Sequence, residues 1–335
     1  MPMKPIVALL TGGFTKEAEV SVKSAAFVEQ NIPLDRFDVY LITITQDSWY
    51  YVDQSGHSHE IDRADFSLHI DGNHIRFDLA FIMIHGSPGE DGLLQGYFDL
   101  IGLRYTSCDT LTSAITMNKA YTKNVLRGIP ELHLAASVVL LEAQQANAAA
   151  SIANELTLPY FVKPNAGGSS IGMSKVRQVE ELQAAIDLAF QTKNTGKQVI
   201  VEEFIEGREF TVGAYRLNGE IIVLPATEVI TQNDFFDFEA KYQPGLTEEI
   251  TPADLNEEQF ARVERIVQAI YTKLNCKGMI RTDFFLEKGT DKFFFVEINT
   301  IPGQTGTSFI PQQVRAYGKT ETDFYTEIIL EALRA

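Results

Sequence analysis

The chain is 335 residues long, 45% apolar and 22% charged, with 22 Phe and 12 Tyr, which excludes disorder as its main state and leaves room for two or three domains. Acidic side chains outnumber basic ones 45 to 28, a net charge of −17; so negative a surface repels phosphate backbones, and with no Lys/Arg cluster to offset it nucleic acid is not an expected partner. Two cysteines, Cys108 and Cys276, form no disulfide framework and read as small buried residues of a reducing compartment.

From the amino end, MPMKPIVALLTGG holds an apolar run of only Ile6 to Leu10. That is too short for a signal segment or a membrane span. It reads instead as a buried strand, Pro5 to Thr11, closed by a Gly12-Gly13 turn, in a cytoplasmic protein without a membrane partner. A helix from about Val20 to Asn31 and strands at Phe37 to Ile44 and Leu79 to Ile84 give a βαβ rhythm, which calls for a parallel sheet. Residues 53–75 carry four of the six His (His57, His59, His69, His74). No pair has helical i,i+4 ligand spacing, so this stretch reads as solvated loop or hairpin.

A second region starts near Thr116. Met117 to Arg127 and Glu142 to Glu155 read as helices. PYFVKPNAGGSSIGMSKV reads as strand, Gly/Ser loop, strand. An amphipathic helix at Val179 to Gln191 and a strand at Gln198 to Phe204 follow. In the third region, Phe210 to Arg216 and Ile221 to Leu224 flank an Asn218-Gly219 hairpin signal. Residues 231–252 look loop-like and Leu255 to Leu274 helical. Strands at Met279 to Leu286 and Lys292 to Ile298 precede a last helix at about Asp323 to Leu333.

Three constellations carry chemistry. Strand residues alternate faces, so Arg281 and Asp283 share one face, as do Glu297 and Asn299. A hairpin turning about Thr290 sets Asp283 opposite Glu297 and Arg281 opposite Asn299. Two opposed carboxylates repel, by about 0.2–1 kcal/mol when solvated, and a cation between them removes the penalty. Asp, Glu and Asn offer oxygen donors, which suit Mg²⁺ rather than zinc. A solvated polar face with a chance pair is the competing reading. The second constellation is Asn165 to Gly172, with Lys163 just before it. Its glycines allow close backbone approach, and successive N–H groups can cradle phosphate oxygens. It is not a P-loop. Gly168 to Gly172 matches G-x-S-x-G, but no His follows Ser170 and the flanks read strand-loop-strand, so a hydrolase is rejected. The third is His85-Gly-Ser-Pro-Gly89-Glu90-Asp91-Gly92, which ends a strand as the Glu17-bearing loop does. Both loops belong in the crevice at the carboxyl ends of an open α/β sheet; a milder reading has Glu90 and Asp91 charging a helix N-terminus.

GGFTKEAEVS, HGSPGEDGLLQG, VKPNAGGSSIGMSKV, EEFIEGREFTV, FDFEAKY, IRTDFFLE and FVEINTIPG stand in this order between about residues 12 and 309. Together they resemble the D-alanine:D-alanine ligases of the ATP-grasp superfamily. The resemblance implies an α/β fold (α+β in the ATP-grasp part), with a Rossmann-like parallel-sheet domain at 1–115. A central ATP-grasp subdomain at 116–209 and a C-terminal one at 210–335 follow, the last carrying a lid loop at 231–252. It implies ATP and two Mg²⁺ ions (Mn²⁺ as substitute), D-alanine as substrate, and a homodimer. By the same resemblance Asp283, Glu297 and Asn299 hold metal. Lys119, Lys163 and Lys241 contact phosphates, with Ser170 in the ATP-binding group. Glu202 and Glu209 bind adenine and ribose, while Phe204 and Ile205 line the adenine slot. Glu17 holds the first D-alanine's amino group and joins Ser169 and Tyr242 in a closing trio, and His85 sits near that substrate's carboxylate. Arg281 and the Gly303 N–H stabilise the oxyanion. Ser308 and Phe309 meet the second substrate's carboxylate. The family commonly has Leu at Phe309 and often His at Thr307, and Glu203 receives no role. D-Lactate or D-serine as second substrate, and a nucleotide-binding module without turnover, stay open as alternatives.

Overall fold

The computed structural model describes residues 4–168, 171–192, 196–231 and 247–334. Its first sheet holds β1 (Ile6–Gly12), β2 (Asp38–Ile44), β3 (Trp49–Val52), β4 (Ser58–Asp62), β5 (Ser67–Ile70), β6 (Asn73–Ile75), β7 (Leu79–Ile82) and β8 (Arg104–Tyr105). The strand order is β6-β5-β4-β3-β2-β1-β7-β8. The β2-β1-β7-β8 part is parallel, as the βαβ rhythm required. From β2 outward the pairing is antiparallel. Residues 53–75 include the antiparallel hairpins β4-β5 and β5-β6, in keeping with the hairpin alternative of the sequence reading. The strands are three to five residues long and bury only Ile61, Ser67 and Leu68, so no apolar run marked them out. Helices α1 (Ala18–Asn31) and α2 (Leu93–Ile101) follow β1 and β7. Both βα loops that carry Glu17 and Glu90 thus leave neighbouring parallel strands at the same end.

Next come α3 (Thr110–Met117), which the sequence reading did not assign, and α4 (Lys119–Leu126), the helix expected at Met117 to Arg127. Asn118 breaks them apart. Its backbone is extended, its side chain caps Tyr121 N–H, and it bridges Ala166. An Asn at such a position favours capping over continuing a helix. Strand β9 (Leu132–Leu134) is followed by β10 (Ser137–Leu141), α5 (Ala148–Glu155), β11 (Tyr160–Pro164), β12 (Ser174–Val176), α6 (Leu182–Gln191) and β13 (Gln198–Glu203). An antiparallel sheet ordered β10-β13-β11-β12 packs α5 and α6 over one apolar cluster.

The last sheet adds β14 (Gly207–Leu217), β15 (Glu220–Val223), β16 (Thr227–Thr231), β17 (Thr247–Ile250), β18 (Met279–Glu287) and β19 (Phe293–Asn299), with β9 at its edge. Helices α7 (Glu257–Lys273), α8 (Phe309–Ala316) and α9 (Glu321–Arg334) complete the chain. Thr247–Ile250 is a strand, although 231–252 looked loop-like; the middle of that segment lies outside the described residues. Both cysteines are buried. Among the described residues, no helix is long and apolar enough to cross a membrane.

Candidate active site

The site lies between the two antiparallel sheets and the β1 and β7 loops. In β18 the even-numbered residues Ile280, Thr282, Phe284 and Leu286 are buried, so Arg281 and Asp283 share the opposite face. Asp283 pairs with Glu297 and Arg281 with Asn299. Nearer the turn the register differs by one, with Phe284 opposite Phe295, and a bulge falls between the two stretches. The surplus residue is Val296. Phe293 and Phe295 face the core, so unbroken alternation would bury Glu297 with them; the bulge shifts the phase and turns Glu297 to the cleft.

The opposed carboxylates already have counterions. Arg281 donates Nε–H and Nη2–H to the two Asp283 oxygens, each at 3.0 Å, and Thr211 Oγ1 donates to Asp283 at 2.5 Å. Lys119 Nζ lies 3.3 Å from Glu297 and donates to Gly167 C=O at 2.8 Å. Burial pulls the Lys119 ammonium below its usual range, against Glu297. Burial also opposes charge on Arg281, but Asp283 outweighs it and raises the guanidinium. Deeper in, Glu202 is gripped by Lys123 and by Lys163, the latter at 2.6 Å. Burial pushes the Glu202 carboxyl up, yet the two lysines prevail and hold it at about 2. The sides of this cleft are Phe161, Met173, Ile205, Val229, Phe285 and Phe294, apolar surface that suits a flat ring.

A cavity of about 840 Å³ opens beside it, lined by Glu17, Gly86, Glu90, Lys119, Gly168, Glu297 and Asn299. A Cβ at Gly86 would come within 2.6 Å of a Glu17 oxygen, and one at Gly168 within 3.1 Å of the other. Gly86 also has φ +67°, so glycine is required there on two counts. Glu90 accepts from Gly86 N–H at 2.6 Å. Burial first, and Glu17 second, raise its carboxyl to about 8.

Against this geometry the comparisons are decisive. The family model described as D-ala D-ala ligase C-terminus matches residues 128–330, and D-ala D-ala ligase N-terminus matches residues 6–108. The chain belongs to the D-alanine–D-alanine ligase family. A D-alanine–D-alanine ligase of Azobacteroides pseudotrichonymphae is 43% identical over 96% of this chain and 98% of its own length. One of Phocaeicola vulgatus is 43% identical over 98% and 99%. Among solved structures, the VanG D-Ala:D-Ser ligase of Enterococcus faecalis aligns with TM-score 0.87 at 32% identity, over 98% of this chain and all of that one. The D-alanyl-alanine synthetase A of Vibrio cholerae aligns with TM-score 0.87 at 26% identity over both full lengths. The fold is thus that of the ligase family, an N-terminal α/β domain followed by an ATP-grasp.

Within this ligase fold the expected residues fall as follows. Glu17, Arg281, Asp283, Glu297, Asn299, Lys119, Lys163, Glu202, Ile205, Glu209 and Phe309 all border the two adjoining cavities. Phe309 stacks on Arg281, with 5.4 Å from guanidinium to ring. Ser308 stands at the first position before α8 with its Oγ accepting from Thr305 N–H at 2.9 Å, and it lies near Gly303, where a Cβ would meet that Oγ at 3.3 Å. Phe204 lies against Phe161, with Lys175 over its ring. Ser169, Ser170, Lys241 and Tyr242 lie outside the described residues. Glu203, without a role in the sequence reading, accepts from Ala136 N–H at 2.9 Å. Lys123 was missed, although its i,i+4 spacing from Lys119 put both on one helix face. Both His85 ring nitrogens are engaged by protein groups, Ile301 C=O at 2.9 Å and Ser24 Oγ at 2.9 Å.

The donors fit a hard divalent cation. Among the described residues no three His, Cys, Asp or Glu groups assemble a metal cage alone. Asp283, Glu297 and Asn299 supply carboxylate and amide oxygens on one face, and Asn299 Nδ2 is buried with no hydrogen-bond partner, so that amide is not held through its donor. Such a partial oxygen set, completed by phosphate oxygens, is how Mg²⁺ is commonly held.

Proposed function

We propose that this chain joins two D-alanines into D-alanyl-D-alanine, with ATP consumed and an acyl phosphate as intermediate, for peptidoglycan precursor synthesis. The observation that carries the reading is Asp283 opposite Glu297 on the cleft face, with Arg281 and Lys119 paired to them, in a chain of this family. A carboxylate is a poor electrophile. Transfer of the γ-phosphoryl group to the first D-alanine's carboxylate breaks the β–γ bridge, releases ADP and creates a leaving group. The second D-alanine's amine then forms the C–N bond and phosphate departs.

Each residue's role is part of this proposal. Glu17 holds the first substrate's ammonium in the room left by Gly86 and Gly168. Lys119 and Lys163 orient phosphates, and Lys123 with Lys163 fixes Glu202. That engagement moves Glu202 from the expected adenine contact to a lysine-positioning role. Glu209, Phe204 and Ile205 then serve the nucleoside. Asp283, Glu297 and Asn299 would hold divalent cations, which neutralise charge on the transferred phosphoryl group. Arg281 and the Gly303 N–H face the developing oxyanion; donors preset there contribute roughly 3–4 kcal/mol each. Ser308 and Phe309 border the second substrate's carboxylate. Ser169, Ser170, Lys241 and Tyr242 join the site on the resemblance alone. The three-part division at 1–115, 116–209 and 210–335 belongs to the same reading; the three sheets support it, though β9 of the middle part joins the last sheet, and a homodimer and a cytoplasmic location belong to it as well.

The test is release of ADP and phosphate from ATP with D-alanine, with L-alanine as control; no D-alanine-dependent release ends the proposal. The likeness to the VanG D-Ala:D-Ser ligase favours a second reading with D-serine in the second subsite. D-Serine and D-lactate offered separately beside D-alanine distinguish it by the product formed.

A further inference from the structure

The β7 loop and the segment after β19 touch at one peptide. Ile301 C=O accepts from His85 Nδ1 at 2.9 Å. The tautomer follows from the neighbours. Gln304 N–H donates to Ser24 Oγ at 3.1 Å, so the Ser24 hydroxyl proton is available to His85 Nε2, and Nδ1 carries the ring's N–H. The His85 amide is itself held by Ser21 Oγ at 2.9 Å, and the side chain is 6% exposed. No ring nitrogen remains to meet a substrate carboxylate. Gly303 stands two residues beyond the gripped peptide, and Gln304 is tied to the same Ser24.

We propose that His85 clamps the Ile301 peptide by its carbonyl and so sets the Gly303 N–H, acting as a neutral donor and positioning residue rather than as a ligand of the first substrate. The inference rests on the ligase reading for its consequence. An oxyanion donor that drifts costs about 100- to 1000-fold in kcat, whereas loss of a substrate ligand raises KM. Burial first holds the imidazole down at about 4, with the Ile301 carbonyl opposing and Arg281, the charged group facing it, assisting. A neutral His85 therefore contributes no limb to a rate profile between pH 5.5 and 8.

The experiment compares wild type, His85→Ala and His85→Asn by ADP release, and follows amide exchange at residues 300–304. Asn places an N–H where Nδ1–H stood. The expected result is a kcat loss of about 100-fold in His85→Ala with KM for D-alanine within about threefold. Recovery in His85→Asn to within about tenfold of wild type, and faster exchange at 301–304 in the Ala variant, complete the expectation. A KM rise of tenfold or more in both His85 variants with kcat kept, or a wild-type limb near pH 6.5 that His85→Asn removes, overturns it. If wild type releases no ADP the ligase reading fails. The clamp is then judged by exchange alone, and unchanged protection at 301–304 in His85→Ala overturns it.

Discussion

Glu297 shows how much one residue's facing matters. It sits opposite Asp283 and 3.3 Å from Lys119, on a face it reaches only through the Val296 bulge. Glu297→Gln keeps the shape and one oxygen but removes the charge. Metal-assisted charge stabilisation is worth several kcal/mol, so ADP release should fall by at least about 100-fold at limiting Mg²⁺, with far-UV circular dichroism unchanged. A Mg²⁺ titration of turnover that superimposes on wild type would contradict the metal role. At this scale the sequence was legible where chemistry and strand parity agreed, as for Arg281, Asp283, Glu297 and Asn299. It was less legible for Glu202, whose two lysine partners come from α4 and β11 and meet only in the fold.

Elements were readable in proportion to their apolar pattern. β1 and β7 are buried along nearly their whole length and stood out as runs. The strands β4, β5 and β6 bury only Ile61, Ser67 and Leu68 among them and did not. α8 was missed because Gln312 and Gln313 look like surface; Gln313 is in fact fully buried, where it accepts from Gly213 N–H and donates to Thr211 C=O and Thr227 Oγ1. The β18–β19 register was right at the site and off by one beside the turn, because a bulge has no signature in hydrophobic alternation. The β7 loop makes a testable statement about pH. Burial and Glu17 raise the Glu90 carboxyl from 4.5 to about 8 in the folded chain. The native state binds the extra proton between those values, so this contribution to stability is full below pH 4.5 and is lost as pH rises through 8. His85, lowered from 6.5 to about 4, acts oppositely, with stability falling as pH drops below 6.5. Glu90→Gln should remove the first effect alone. Urea unfolding at pH 5.5 and pH 8 should show the variant gaining on wild type at the higher pH; an equal difference at both values would refute the shift.

Across the whole molecule, three sheets converge on one cleft, and a chain of net charge −17 concentrates cations there. None of Lys119, Lys123, Lys163 or Arg281 stands alone; Glu297, Glu202 and Asp283 accompany them. On the proposed function, entry of a magnesium nucleotide would be an exchange of partners more than an addition of charge. Lys119 drawn away by phosphate oxygens would leave Glu297 open to a divalent ion, and Glu297 so occupied would free Lys119 for phosphate. Each event lowers the cost of the other, and thermodynamic reciprocity makes the gain identical in both directions. Calorimetric titration of ADP with and without Mg²⁺ should give a tighter complex with the ion in wild type and a smaller difference in Glu297→Gln; equal differences would break the link. The paired carboxylates would thus act as stand-in anions for the polyphosphate that the proposed function brings to these cations.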